Sequence, residues 1–354
     1  MIFVTGGAGF IGSAFVRNYC HNEHIVILDA MTYAADLERI SICKDRISFI
    51  EGDICDFELV SSIFNKYKPR CVVHFAAESH VDRSIDGPMA FVQSNIIGTL
   101  NLLQCAYSYW QNCESVLKQS FRFLHVSTDE VYGSLSFDDN PFTETSNYAP
   151  NSPYSASKAS SDHFVRAWNQ TFGLPVIISH CSNNYGPWQF PEKLIPLMIA
   201  KCLSQQMLPI YGNGQNIRDW IHVDDHVSAL FELLNHAESS SVWGIGGGAE
   251  ISNLDLVHII CKTLDKLKPL PIGKYQDLVT FVTDRPGHDL RYAISTNKIS
   301  SKTSWKPKVD IKDGLMETII WYINSNSWLE NISKKSSYVE YNRLGLGQNK
   351  GIAK

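Results

Sequence analysis

Tyr154 and Lys158 stand four positions apart in Tyr154-Ser155-Ala156-Ser157-Lys158, the one Tyr-x-x-x-Lys among fifteen tyrosines. On a helix such residues share a face, which brings the ammonium beside the phenol. A cation there favours the phenolate and makes the pair a candidate base toward a hydroxyl. Moving a phenol from about 10 toward 7 takes roughly 4 kcal/mol, so the lysine needs a second positive charge to help it. Chance also produces this spacing, and a surface helix pair is the competing account. Ser127-Thr128-Asp129-Glu130 shortly precedes it. A hydroxyl beside two adjacent carboxylates at a strand end suits proton transfer, though a helix cap explains the same residues.

A partner for that chemistry is written at the N-terminus. Val4-Thr5-Gly6-Gly7-Ala8-Gly9-Phe10-Ile11-Gly12 sets Gly6, Gly9 and Gly12 three apart, after a strand and at the opening of a helix. Glycine serves there for the tight turn, the close approach of backbone to pyrophosphate, and helix–strand packing. The helix N-terminus offers N–H groups to the anion. Asp29 closes the second strand seventeen residues beyond Gly12. A carboxylate there accepts from a ribose 2′-OH and repels a 2′-phosphate, which predicts NAD rather than NADP. The nicotinamide would be the missing positive charge. Asp53-Ile54 and Ala76-Ala77-Glu78-Ser79 follow the third and fourth strands, where the rest of such a cofactor lies; a plain turn explains Asp53 equally well.

The elements that must position these groups alternate. Strands are predicted over Ile2–Thr5, Ile25–Asp29, Ile47–Glu51, Cys71–Phe75, Phe121–Ser127 and Val176–His180. Helices are predicted over Gly9–Asn18, Phe57–Lys66, Met89–Tyr109 and Tyr154–Phe172. Such alternation specifies an α/β fold, a Rossmann-type doubly wound parallel sheet with ligands at the C-terminal strand ends. After Gly186 the prolines 187, 191, 196 and 209 break the rhythm, and a strand–helix unit returns at Trp220–Leu234. We expect a cofactor domain of residues 1–186 plus 220–244, interwoven with a smaller mixed α/β substrate domain of residues 187–219 plus 245–354. The last dozen residues are expected to be loosely ordered. Asn183-Asn184, Gly212–Asp219 with Arg218, and Asp284-Arg285-Pro286-Gly287-His288-Asp289 are three polar turns in the second half. Each alone reads as a solvated loop; together, beside a dinucleotide fold, they suggest a second nucleotide, with arginine forks for its diphosphate.

The bulk properties fit that picture. The 354 residues carry a net charge of −5, so no basic face advertises nucleic acid and a small-molecule partner is expected. Nine cysteines, without any C-x-x-C pair, predict reduced thiols and no metal. Neither a signal peptide nor a membrane-length apolar run is evident, which leads us to expect a soluble, cytoplasmic protein.

Three longer motifs are more specific: His74-Phe75-Ala76-Ala77-Glu78-Ser79-His80-Val81-Asp82-Arg83-Ser84, Ser127-Thr128-Asp129-Glu130-Val131-Tyr132-Gly133, and Asp284–Asp289. With them the chain resembles the extended short-chain dehydrogenase/reductase family and, within it, the dTDP-glucose 4,6-dehydratases. The likeness runs from Thr5 to Gly345. It implies NAD held by Gly6, Gly9, Phe10, Ile11, Gly12, Asp29, Thr32, Asp53, Ile54, Ala76, Ala77, Ser79, Ser94, Tyr154, Lys158 and Asn184. It implies dTDP-glucose held by Ser79, Thr128, Asn183, Lys193, Leu194, Pro209, Ile210, Tyr211, Arg218, Asn253, Arg285 and His288. The implied catalytic set is Tyr154 as base toward O4, Lys158 beside it, Thr128 on O4, Glu130 as base at C5 and Asp129 as acid toward O6. A homodimer through the Met89–Tyr109 and Tyr154–Phe172 helices is implied as well. Three rivals remain: a 4-epimerase or decarboxylase, which has no use for Asp129 and Glu130; a UDP-glucose dehydratase, since thymine and uracil differ by one methyl; and a non-catalytic NAD-sensing or scaffold protein on this fold, which would have no use for Tyr154 and Lys158.

Overall fold

The computed structural model describes residues 1–333, so the expected loose tail and the Arg343–Gly345 end of the resemblance lie outside the described residues. Strands form at Ile2–Thr5 (β1), Ile25–Asp29 (β2), Ile47–Glu51 (β3), Cys71–His74 (β4), Arg122–Thr128 (β5) and Val176–Cys181 (β6). The remaining strands are Asn183–Tyr185 (β7), Leu208–Tyr211 (β8), Ile217–His222 (β9), Ser241–Ile245 (β10), Glu250–Ser252 (β11) and Val279–Val282 (β12). Seven of them make one sheet in the order β10-β6-β5-β4-β1-β2-β3, with every pair parallel. Helices cover both faces, which is why β1, β2 and β4 are buried throughout and read as unbroken apolar runs. The strand order reverses between β1 and β4, opening the crevice in which such sheets bind ligands.

One face of the sheet packs on the Phe10–Tyr19 and Val223–His236 helices through Phe15, Val16, Val227, Leu230 and Leu233. The other packs on the Phe57–Tyr67, Thr99–Gln111 and Pro153–Phe172 helices through Val60, Phe64, Leu102, Ala106 and Val165. A third core, around Tyr185, Ile199, Leu256, Ile260, Leu315 and Tyr322, lies under two small sheets, β11-β9-β7 and β12-β8. This small lobe stands over the carboxyl end of the large sheet.

Three features were not anticipated. β10 extends the large sheet beyond β6 although its sequence, Ser-Val-Trp-Gly-Ile, is short and interrupted by Gly244. A Cβ at Gly244 would sit 2.6 Å from the Ser295 carbonyl, so backbone crossing overrides the poor strand propensity. Leu37–Arg46 forms a run of tight helical turns capped by Asp36. The expected Met89–Tyr109 helix is continuous from Pro88 to Gln111 but widens into π turns at Val92–Gly98, a distortion that recurs at functional sites.

The small lobe is tied down by a buried carboxylate. Asp225 Oδ2 accepts from the backbone N–H of Lys308 and of Val309, both at 2.9 Å. Asp225→Ala should lower stability by about 2 kcal/mol, because two backbone donors lose a buried acceptor. The shift of the denaturant midpoint measures this, and an unchanged midpoint would show that water replaces the carboxylate.

Candidate active site

The turn after β1 is shaped by backbone contact. Gly6 has φ +71°, and a Cβ on it would lie 2.6 Å from the backbone nitrogen of Ala76 in the turn after β4. A Cβ on Gly12 would lie 2.2 Å from the Gly6 carbonyl oxygen. The helix opens at Gly9 with no side-chain cap, leaving its first N–H groups for an anion. Asp29 is buried; its Oδ2 accepts from Ala8 N at 2.8 Å and its Oδ1 from Met31 N at 2.9 Å. Those bonds fix the carboxylate against burial, which pushes its pKa up, and leave each oxygen a lone pair. Asp53 borders the same crevice while its Oδ1 accepts from Cys55 N at 2.8 Å, so it is also a turn former. The residues present fit a dinucleotide with unphosphorylated ribose.

From this crevice one continuous cavity of about 700 Å³ runs to the small lobe. Every residue the sequence nominates for cofactor or substrate lines it, from Gly6, Gly9, Phe10, Ile11, Thr32, Ile54, Ala77 and Ser94 to Leu194, Pro209 and Ile210. Asp129 is the one nominated residue that does not; it lies behind the wall, buried.

Thr128 ends β5 and caps a short turn over Asp129–Tyr132, accepting from Glu130 N at 3.3 Å. The cap account of this motif therefore holds, and the same turn sets Glu130 against the cavity with Asp129 behind it. Burial pushes the Asp129 carboxyl well above its usual range, followed by Glu130 and then Asp219, with Arg218 opposing. Its Oδ2 has no hydrogen-bond partner. Desolvation and the like charge of Glu130 both favour its protonated form. Burial also raises Glu130, but Arg285, Lys193 and Arg218 pull it back toward ionisation. The surroundings thus push the pKa values of two adjacent carboxyl groups apart, the arrangement an acid and a base need.

Tyr154 and Lys158 sit one turn apart on the Pro153–Phe172 helix, whose start is fixed by reciprocal bonds between Ser152 and Ser155, both at 3.0 Å. The expectation that Lys158 lowers the Tyr154 pKa needs correction for the protein alone. Lys158 Nζ donates to the Val126 carbonyl at 2.9 Å, while burial, then Glu130, push the phenol well above 10. A hydrogen bond from Thr128 acts in the opposite direction. The low-dielectric wall outweighs the neighbouring ammonium.

Across the cavity Lys193 Nζ donates to the Ser79 carbonyl at 2.7 Å. Arg218 donates to the Asp289 carbonyl at 3.0 Å and stacks 4.4 Å from the Tyr292 ring centroid. Arg285 pairs with Asp82 at 3.2 Å, and Tyr211 OH donates to the same carboxylate. His288, pulled down to about 4 by burial and then Arg285, lies 2.6 Å from Asp284. Arg285 Nε, Asn183 Oδ1 and Asn253 Oδ1 are buried without partners. Three cations and three unsatisfied polar atoms facing one cleft suit a diphosphate with a polar nucleoside. Asn184 lies between the two ends, its Oδ1 2.8 Å from His226 Nδ1.

Sequence reasoning missed Asn95 and Glu192. Asn95, in the widened turn, accepts from Glu78 N at 2.8 Å and donates to the Glu78 carbonyl and Ser157 Oγ, joining the β4 turn to the Tyr154 helix. Glu192 accepts from Tyr33 at 3.0 Å and is pushed up to about 7, chiefly by burial. Its place beside Lys193 was the available signal; nothing in the sequence singled out Asn95.

A doubly wound sheet with this glycine turn, joined to a Tyr/Lys helix beneath a cationic lobe, defines a short-chain dehydrogenase/reductase that handles nucleotide-linked substrates. A family model described as GDP-mannose 4,6 dehydratase matches residues 3–318. The chain is 49% identical over 354 residues to dTDP-glucose 4,6-dehydratase of Neisseria meningitidis serogroup B, covering 98% of this chain and 99% of that one. It is 48% identical to dTDP-glucose 4,6-dehydratase 1 of Escherichia coli K12, covering 97% and 99%. Streptomyces venezuelae DesIV, a dTDP-glucose 4,6-dehydratase crystallised with NAD and dTDP, superposes with TM-score 0.85 at 42% identity over 94% of this chain and 99% of that one. A Thermotoga maritima UDP-glucose 4-epimerase gives TM-score 0.80 at 27% identity over 92% and 99%. The chain belongs to the GDP-mannose 4,6 dehydratase family and, within it, to the dTDP-glucose 4,6-dehydratases.

Gly12→Ala should abolish retention of NAD, since its methyl would collide with the Gly6 carbonyl. Nucleotide released on denaturing the purified variant measures this; stoichiometric NAD would show that the turn can yield.

Proposed function

We propose that this protein is an NAD-dependent hydro-lyase that converts dTDP-glucose to dTDP-4-keto-6-deoxyglucose and water, in deoxysugar biosynthesis. The observation that carries the reading is the buried Asp129 behind an ionisable Glu130 at the end of β5. An epimerase at C4 would have no work for that pair.

The glucose C5 proton is not acidic, so the C6 hydroxyl leaves only after C4 becomes a ketone. NAD, held by the glycine turn and Asp29, supplies storage for the hydride between its removal from C4 and its return to C6. Tyr154 accepts the O4 proton, with Thr128 on the same oxygen and Lys158 as the nearby cation. Charge arriving beside the buried phenol must overcome the desolvation that keeps it neutral. Glu130 takes the C5 proton, and Asp129 gives its proton to O6, which departs as water. Glu130 then returns a proton to C5, and the proton gained at Tyr154 balances the one given by Asp129. Arg218, Arg285 and Lys193 hold the diphosphate, and Pro209, Ile210 and Tyr211 flank the base. Residues 1–186 with 220–244 serve the cofactor, and residues 187–219 with those from 245 onward serve the sugar nucleotide.

Two further readings accompany this one. A homodimer would cover the apolar side chains of Met89, Ile97 and Phe172 on the exposed faces of their helices. A reducing, cytoplasmic setting suits nine unbonded cysteines, and no described helix is long and apolar enough to cross a membrane.

Glu130→Gln should still oxidise C4, seen as absorbance of bound NADH, while exchange of C5 hydrogen with solvent deuterium falls at least about 100-fold. Normal elimination by that variant would overturn the base assignment. Between donors, dTDP-glucose should exceed UDP-glucose about fivefold in kcat/KM, the worth of one buried methyl. Equal rates would place the methyl in solvent.

A further inference from the structure

Behind the Tyr154 helix lies a group of buried polar side chains to which the reaction above gives no role. Asp162, one turn beyond Lys158, is buried and does not line the cavity described above. Its Oδ2 accepts from Ser127 Oγ at 2.9 Å and from Tyr148 OH at 3.1 Å, and lies 3.0 Å from His180 Nε2. Its Oδ1 lies 3.2 Å from His125 Nε2. His180 Nδ1 lies 2.8 Å from Tyr132 OH, so Tyr132 donates to Nδ1 and His180 donates from Nε2 to the carboxylate. His125 and Ser127 come from β5, His180 from β6, and Tyr148 from the segment before the helix. His74 stands behind His125 with ring centroids 5.2 Å apart.

A carboxylate at such depth is costly unless its donors and a countercharge offset the loss of water. The donors are present, and Lys158 is the ammonium on the same helix face one turn away. We propose that Asp162 is a positioning residue for the dehydratase reaction, a fixed buried anion that keeps Lys158 protonated and docked across β5. The inference rests on the function proposed above. Burial works against the Asp162 charge, but His125 and His180 outweigh it and hold the carboxyl well below the usual carboxylate range. Burial likewise pulls Lys158 down; Asp162 is the strongest influence opposing it, ahead of Cys181. His125, lowered to about 4 by burial and then Lys158, is neutral and brings no competing cation.

The sign of the effect follows. Removing the anion lets Lys158 lose its proton at lower pH, so activity that needs the ammonium fails earlier as pH rises. Asp162→Asn, nearly the same shape, should move the alkaline limb of kcat/KM downward by about one pH unit. Asp162→Ser, a smaller neutral residue, should do the same, and Asp162→Glu should restore the parental limb. Tyr148→Phe removes one donor but no charge and should leave the limb in place with activity within about twofold. A limb unmoved in the neutral variants, with only thermal stability lost, would make Asp162 a folding residue and overturn the proposal. Labelling needs no folded variant: on the parental NAD-loaded enzyme at about pH 7.5, Lys158 should resist an amine-acylating reagent. Its prompt acylation there would mean a neutral amine and would also overturn the proposal. Absence of dehydratase activity in the parent would instead defeat the function, whatever the lysine does.

Discussion

Two carboxyl groups in sequence at the end of one strand must differ by a proton if they are to act as acid and base. Elsewhere on a protein surface Asp-Glu would simply ionise twice. Here the β5 strand stops at Thr128, whose hydroxyl caps the turn, and the chain bends so that successive side chains leave in different directions. Asp129 turns into the wall, away from water; Glu130 meets Arg285, Lys193 and Arg218. Desolvation and like charge raise the first, and opposite charge restrains the second. The large sheet exists, functionally, to fix this bend beside the Tyr154 helix, and the small lobe to bring the cations over it.

That constraint makes the two lobes one device. The arginines and lysine proposed to grip a diphosphate are the same ones that restrain Glu130, so on that reading substrate binding and the ionisation of the base are linked. A diphosphate drawn to Arg218 and Arg285 would weaken their hold on Glu130 and raise its basicity. The small lobe cannot then be a passive lid. Its anchorage through Asp225 to Lys308 and Val309 ties it to the Val223–His236 helix on the large sheet.

Most of this was legible in the sequence where local chemistry and tertiary position agree. β1, β2, β4 and β6 are buried throughout, so their apolar runs marked them within a residue or so, and turn glycines with positive φ or touching backbones announced the cofactor crevice. β10 escaped because its place is secured by neighbours: a five-residue strand containing glycine persists where β6 and the Ser295 backbone receive it. Asn95 escaped because amide groups in a helix carry no pattern, and only the fold brings it against Glu78 and Ser157. The Tyr154–Lys158 spacing was visible, yet its electrostatic outcome was not, since burial sets the phenol more than the ammonium does.

The cluster behind the helix extends the same logic one layer inward. Lys158 is buried, although it borders the cavity, and a buried ammonium tends to lose its proton as a buried carboxyl tends to keep one. The site needs the second tendency and must defeat the first. Asp162 can do so only while ionised, and it stays ionised because several donors, His125 and His180 foremost, converge on it from separate elements. Ser127 immediately precedes Thr128, so one stretch of β5 supplies both the support for the anion and the turn that divides the carboxyl pair. A displacement of β5 against the Tyr154 helix would therefore disturb both charges at once. The polar residues packed between them, rather than the apolar core around them, hold the site in register.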